Sequence, residues 1–299
     1  MTPPEMDALH DAVLGWYRAN GRVLAFRGTS DPWAILVSEL MAQQTQAARA
    51  AEAWQRFMGA FPSPAALAAA TPADALRAWR GLGYNRRAIA LRAAAIAIVE
   101  RHGGRVPSDL AALDALPGVG PYTARAVAAL AFGGRVGPVD TNVRRVLGRA
   151  LFDQSPTPPA LQRAADELAP DGAAGEWTHA LMDVGATLCR PRNPRCGECP
   201  LRPSCRFARR ARQGDAQAAW ASEASGARPP EPRFESTSRW LRGRILDRLR
   251  ESPADRWADF DGEIGPHGVP AIEVALAAMA REGLVELDGR PRRARLPQA

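Results

Sequence analysis

The chain of 299 residues carries 39 basic side chains against 32 acidic ones, a formal charge of +7, with 46% hydrophobic residues and only 6% aromatic ones. That is enough chain for one large or two ordinary domains with a substantial core, and the long Ala-rich runs predict a helical one. The positive balance favours a polyanionic partner, while no apolar run is long enough to span a bilayer and no basic-then-apolar leader opens the chain, so a cytoplasmic protein is expected.

Leu9, Val13, Trp16 and Tyr17 recur at helical spacing and predict a helix over 5–19. A loop from Gly21 to Asp31 follows. Pro32 then opens a helix to about Ala47, with a second helical stretch to Met58. Phe61-Pro62 breaks the chain before short helices at 64–69 and 72–79, the second capped by Thr71. Gly81-Leu82-Gly83-Tyr84 reads as a turn before a long helix, Arg86–His102, which Gly103-Gly104 ends. Ser108 caps a short helix, an apolar helix covers 124–132, an Arg-striped one covers 142–152, and another covers 177–188. No strand is expected before residue 280. Over 209–236 the composition turns to Ala, Ser, Gly, Pro and Glu, as in a linker. Residues 237–299 then suggest a small winged-helix-like unit: two helices, the strand Leu284-Val285-Glu286-Leu287, and an Asp288-Gly289 turn.

Three features carry chemistry. In Leu116-Pro117-Gly118-Val119-Gly120-Pro121-Tyr122, one helix ends and another begins across a glycine turn. Gly118 and Gly120 are free to take positive φ, and Pro121 suits a first helical turn, so backbone N–H groups cluster at a helix N-terminus as an anion site; in a basic chain the anion is a DNA phosphate. Cys189, Cys196, Cys199 and Cys205 form C-x6-C-x2-C-x5-C and are all the cysteines of the chain. Such a set fits a metal site in a reducing compartment, either tetrahedral zinc or a [4Fe–4S] cluster. Arg190, Arg192, Arg195, Arg202 and Arg206 around it suggest a basic loop held against phosphates. Two carboxylates stand out as well: Glu39 lies in an otherwise apolar helix, where it reads as a wet face, and Asp140 lies before the Arg-striped helix, where spacing alone reads as an N-cap.

Taken together, the hairpin, the Val139-Asp140-Thr141-Asn142 element, the Ser38-Glu39 pair and the cysteine spacing resemble the helix-hairpin-helix DNA glycosylases, in the branch of endonuclease III and the adenine DNA glycosylases. The resemblance covers roughly the first 210 residues. It implies a mostly α, two-lobed glycosylase domain over 1–208 with a [4Fe–4S] loop at 189–205, acting on mismatched double-stranded DNA as a monomer. It also implies that Glu39 protonates an adenine opposite 8-oxoguanine or guanine and that Asp140 stabilises the oxocarbenium-like sugar, with Tyr122 and Asn142 in support. Gln44 and Tyr84 match residues that wedge into the duplex as the base is extruded, and Arg27 and His179 match residues facing that base. Endonuclease III carries a catalytic Lys where this chain has Tyr122. With no Lys anywhere in the chain, a Schiff-base lyase step is not expected.

The chain departs from the family in three ways. Phe26 replaces an indole beside the base. His179 replaces a Gln or Glu, which makes its protonation near neutral pH relevant. The stretch after 237 looks too short and too helical for the Nudix-like domain of many adenine glycosylases. Phe26 and His179 motivate an alternative, a same-fold glycosylase for thymine or uracil opposite guanine. A non-catalytic DNA-binding protein using the hairpin and the tail is the reading from another class.

Overall fold

A computed structural model describes residues 2–212, 233–253 and 256–298. Most of the linker expected at 209–236 therefore lies outside the described residues. Residues 209–212 close a helix, and Phe234–Ser236 form a 3-10 turn. Fourteen α-helices and three short strands make up the described chain, and no described helix is long and apolar enough to cross a membrane.

The chain forms two compact units. The first gathers residues 2–35, 108–115 and 119–212; the second gathers 36–107, 116–118 and the described residues from 233 onward. The first unit contains α1 (Pro3–Asn20), α7 (Leu110–Asp114), α8 (Pro121–Phe132), α9 (Thr141–Leu151), α10 (Pro158–Glu167), α11 (Ala174–Thr187) and α12 (Arg206–Arg212). Its core joins Leu9 and Val13 of α1, Val146 and Leu147 of α9, and Trp177 and Leu181 of α11. Helices α9 and α11 pack so closely that a Cβ on Gly185 would lie 2.5 Å from Cβ of Asn142.

Helix α2 (Pro32–Ala42) starts in the first unit and continues into the second. The second unit adds α3 (Ala47–Ala60), α4 (Pro64–Ala69), α5 (Pro72–Ala78) and α6 (Arg86–His102), packed around Phe57, Leu67, Leu76, Trp79, Leu91 and Ile98. Pro at N1 or N2 opens α4 and α5, where it costs no hydrogen bond. The same unit contains α13 (Ser238–Glu251), α14 (Val269–Arg281) and an antiparallel sheet ordered β1–β3–β2, with β1 at Ala258–Asp259, β2 at Glu286–Leu287 and β3 at Arg293–Arg295. Arg77 Nη2 donates to the Ser252 carbonyl at 3.1 Å and Ala73 N–H to the Pro297 carbonyl at 2.9 Å, which ties these C-terminal residues to α5.

Three local expectations change. Strand β1 precedes residue 280; two residues are too few to show any alternation. The helix expected to run to Ala47 stops at Ala42. The short helix after residue 108 is capped by Asp109, whose carboxylate accepts from Ala112 N–H at 2.8 Å, and not by Ser108.

Gly185→Ala should force α11 away from α9 at Asn142 and lower folding stability by about 1–3 kcal/mol, the usual cost of overpacking. Urea denaturation of the full chain checks this.

Candidate active site

The hairpin forms as expected, with one difference between its glycines. Gly118 takes φ +75°, and a Cβ there would lie 2.6 Å from the Cβ of Ala90, so glycine is required twice over. Gly120 caps α8 with φ −113° and ψ 177°, an extended conformation open to any residue. Its surroundings are empty where a Cβ would point, which leaves the α8 N-terminus uncovered on that side. Tyr122 sits half-buried in the first turn of α8.

Asp140 is the N-cap of α9: its Oδ1 accepts from Val143 N–H at 2.6 Å. Its other oxygen accepts from Asn142 Nδ2 at 3.0 Å. Asn142 is held in turn, because Arg145 Nη2 donates to its Oδ1 at 2.8 Å and to the Gly185 carbonyl at 2.7 Å, while Arg145 Nε donates to the Cys189 carbonyl at 2.6 Å. The carboxylate therefore has both oxygens fixed, and the chain of bonds behind it ends at the first cysteine.

In the second unit, Glu39 is 8% exposed and is the one ionisable side chain in the run 33–41 of α2, all of which is buried. The wet face that the sequence suggested does not exist; α2 is buried all round. Just beyond it, Gln44 has φ +52°, and Tyr84 has φ +55°. Only one other described non-glycine residue, Asn193, has positive φ. Such backbone costs about 1–3 kcal/mol per residue and persists only where the surroundings impose it. Arg87 is one such imposition. Its Nη1 donates to the carbonyls of Leu40 and Gln43, each at 2.6 Å, and its Nη2 to that of Gly83 at 2.8 Å. The guanidinium thus binds carbonyls at the end of α2 and in the turn before Tyr84 at once. Tyr84 is 44% exposed, so it is not the core aromatic that a bland reading would make it.

Arg27 and His179 belong to the first unit. The Arg27 guanidinium, expected to face the extruded base, makes a bidentate pair with Asp183, at 2.7 and 2.8 Å. Arg22 completes the cluster through its backbone N–H at 2.8 Å and its Nε at 2.6 Å. Burial pushes the Asp183 carboxyl up, but the hydrogen bonds from Arg27 and Arg22 outweigh it and hold the group below the usual carboxylate range. His179 stands one turn before Asp183, beside Tyr17. Burial, helped by the Arg27 charge, lowers its pKa to about 3. The ring is therefore neutral near pH 7, and the sensitivity expected there does not arise. Asp183, Arg22, Arg87 and Arg145 were missed in the sequence; only the His179-x3-Asp183 spacing on one face of α11 hinted at a polar cluster.

The four cysteines line one cavity together with Arg149, Arg195 and Phe207. Arg149 is 5% exposed and points Nη1 at Cys189 Sγ, 3.6 Å away, while donating to the carbonyls of Arg190 and Pro191. Burial pushes the Cys199 thiol up to about 12 and raises Cys196 and Cys205, with repulsion from neighbouring thiolates adding to it. Thiols raised in this way ionise readily only beside a compensating cation, so Cys196, Cys199 and Cys205 fit a metal-containing group. Among the described residues no three His, Cys, Asp or Glu converge tightly enough to hold one metal ion. Of the arginines around the loop, Arg195 pairs with Glu198 and Arg206 with Asp153, whereas Arg190, Arg192 and Arg202 are exposed.

Residues 37–171 match the HhH-GPD superfamily of base excision DNA repair proteins. Over 265 residues the chain is 43% identical to an adenine DNA glycosylase of Mycobacterium tuberculosis, an alignment covering 83% of this chain and 81% of that one. The chain belongs to the HhH-GPD superfamily. An adenine DNA glycosylase of Mycolicibacterium smegmatis is 42% identical over 245 residues, with 80% of each chain covered. Among solved structures, a thermostable thymine-DNA glycosylase superposes with a TM-score of 0.64 at 28% identity, over 69% of this chain and 98% of that one. As a member of this superfamily the protein is a base excision repair glycosylase with a helix-hairpin-helix fold, and the Gly118 turn lies inside the matched region.

Arg27→Leu should cost about 3 kcal/mol of folding stability, because it strips the fully buried Asp183 of its bidentate partner and leaves Arg22 alone beside it. Arg27→Lys should recover only part of this, since an ammonium cannot pair bidentately. Chemical denaturation of the three proteins at one pH measures both effects.

Proposed function

We propose that this glycosylase removes adenine mispaired with 8-oxoguanine or guanine, and that it is monofunctional. The observation that carries the reading is the contrast between its two carboxylates: Glu39 shielded from water within α2, and Asp140 pinned by two hydrogen bonds at the start of α9. A shielded carboxyl group suits proton delivery to a purine, which leaves poorly unless protonated. Glu39 gives its proton to the base, the C1′–N bond breaks with its electron pair departing on the base, and neutral adenine leaves. Positive charge builds on the sugar, where the fixed Asp140 carboxylate stabilises it. Water adds at C1′ and yields its proton to the Glu39 carboxylate, leaving an abasic site.

Gln44 and Tyr84 enter the duplex as the base is extruded. Their left-handed backbone supports this role, because strain of that kind gathers where a residue is held out of its preferred conformation for a purpose. Gly118 and Gly120 hold the strand backbone. His179, as a neutral imidazole, offers the base one donor and one acceptor, and Arg27 acts through Asp183 to position the wall of the pocket. Tyr122 and Asn142 support Asp140. With Tyr122 at the lyase position and no Lys in the chain, strand scission needs added alkali. The substrate is duplex DNA bound by a monomer.

Cys189, Cys196, Cys199 and Cys205 hold a [4Fe–4S] cluster in this reading. A cavity lined by all four thiols, at the spacing that resembles the family's iron–sulfur loop, supports this reading. Bound there, the cluster would staple the loop and neutralise the thiolates.

Single-turnover assays with adenine opposite 8-oxoguanine, adenine opposite guanine, and thymine or uracil opposite guanine test the substrate. Adenine release should fall about 10²–10⁴-fold in Glu39→Gln, the usual worth of a general acid, and breaks should appear only after alkali. Processing of thymine or uracil alone would select the other glycosylase reading, and tight binding without release of any base would make this a binding protein. In a separate test, the purified protein should contain iron and sulfide in equal amounts with a brown chromophore, both lost in Cys199→Ser. Zinc in their place would overturn the cluster.

A further inference from the structure

The Gly81–Tyr84 turn is approached by residues from far along the chain. On one side, the Arg239 guanidinium lies over the Tyr84 ring, 4.4 Å from its centroid. Arg87 lies 5.4 Å from the same centroid. Beside them, Arg250 donates through Nη2 to Asn85 Oδ1 at 2.7 Å and through Nε to the Leu76 carbonyl at 2.9 Å. Asp247 accepts from Arg250 Nη1 at 3.1 Å, and the Arg250 side chain is 4% exposed. Arg239 and Arg250 both belong to α13, so one helix reaches the strained residue and the residue after it. A positive φ at a tyrosine requires that its surroundings over-determine it. Nearby in the chain, Arg87 and the Trp79 indole, which donates to the Gly83 carbonyl at 3.4 Å, hold the turn but not the direction of the ring.

We propose that α13 braces the turn carrying Tyr84, with Arg239 as a positioning residue that fixes the direction of the Tyr84 ring. This rests on the reading of Tyr84 as a wedge in the duplex. The brace assigns a task to the C-terminal residues, for which the sequence suggested only a winged-helix-like outline. A guanidinium stacked on a phenol ring suits it, since the ring face attracts the cation while its edge and hydroxyl stay available to DNA. Arg250 anchors the helix and Arg239 orients the ring, so loss of Arg239 leaves the fold intact and loosens only the wedge. Arg239 is exposed, and its replacement opens no cavity.

The test uses the full chain and a duplex with 2-aminopurine opposite 8-oxoguanine, whose fluorescence rises when the base is unstacked. Arg239→Gln should lower the extrusion signal about two- to fivefold, the range expected from loss of one exposed cation–π contact, with an unchanged denaturation midpoint. Arg239→Lys should retain part of it. Tyr84→Leu should lower the signal at least as far, and adding Arg239→Gln to it should change nothing more. An Arg239 effect that persists undiminished in the Tyr84→Leu background would mean a direct phosphate contact, and the brace would be wrong. No effect of Arg239→Gln, with Tyr84→Leu impaired, would remove the brace and leave the wedge reading standing. No effect of either would remove both.

Discussion

A helix that is buried all round has a difficult end. The last carbonyls of α2 have no partner within the helix, and water has little access to that stretch, so leaving them unpaired would cost more than most single contacts return. Thr45 meets part of this, its N–H and hydroxyl donating to the carbonyls of Ala42 and Gln43 at 3.2 Å each, and one long side chain meets more. Arg87 reaches from the first turn of α6 to the carbonyls of Leu40 and Gln43, and the same guanidinium takes the carbonyl of Gly83. A planar donor with a fixed fork suits the task in a way that an ammonium does not. Because α2 must stop where Arg87 meets it, Gln44 is turned out into left-handed backbone; because Gly83 is held, so is Tyr84. The two residues read as wedges are thus consequences of how a buried helix is closed.

The other carboxylate is fixed by a different logic. Asp140 is an ordinary N-cap through one oxygen and accepts from Asn142 through the other, which fixes it for the role proposed above. The cap sets where the side chain points; Asn142 sets its rotation; Arg145 keeps the amide of Asn142 from turning over. Gly185 is what lets α11 come near enough for its carbonyl to share Arg145. Each element is common in helical proteins. Their convergence on one carboxylate is what makes the site rigid.

Much of this was legible in the sequence wherever the signal is local. Prolines at helix starts, the Thr71 cap and Gly103 after Arg86–His102 all report on residues within a turn or two of themselves, and the elements they mark form as read. Partners distant in the chain were not legible. Arg27 and Asp183 are separated by 156 positions, and nothing near either one announces the other, so Arg27 looked free to meet a ligand. The end of α2 was missed for the same reason: only Thr45 within residues 42–47 disfavours a helix, and Arg87, which takes the carbonyls at this end, lies more than forty positions on. Glu39 looked like a wet face because periodicity cannot tell a helix with one solvent side from a helix with none.

The unusual residues of the pocket can be weighed on the same terms. A Gln or Glu facing a base carries its hydrogen-bonding groups on a flexible stem, whereas His179 is a ring set beside Tyr17 and above the Arg27–Asp183 pair. Burial keeps the ring neutral, so it adds no positive charge to the Arg22–Arg27–Asp183 cluster. A cationic imidazole there would add to the positive charge of Arg22 and Arg27, which Asp183 offsets only in part.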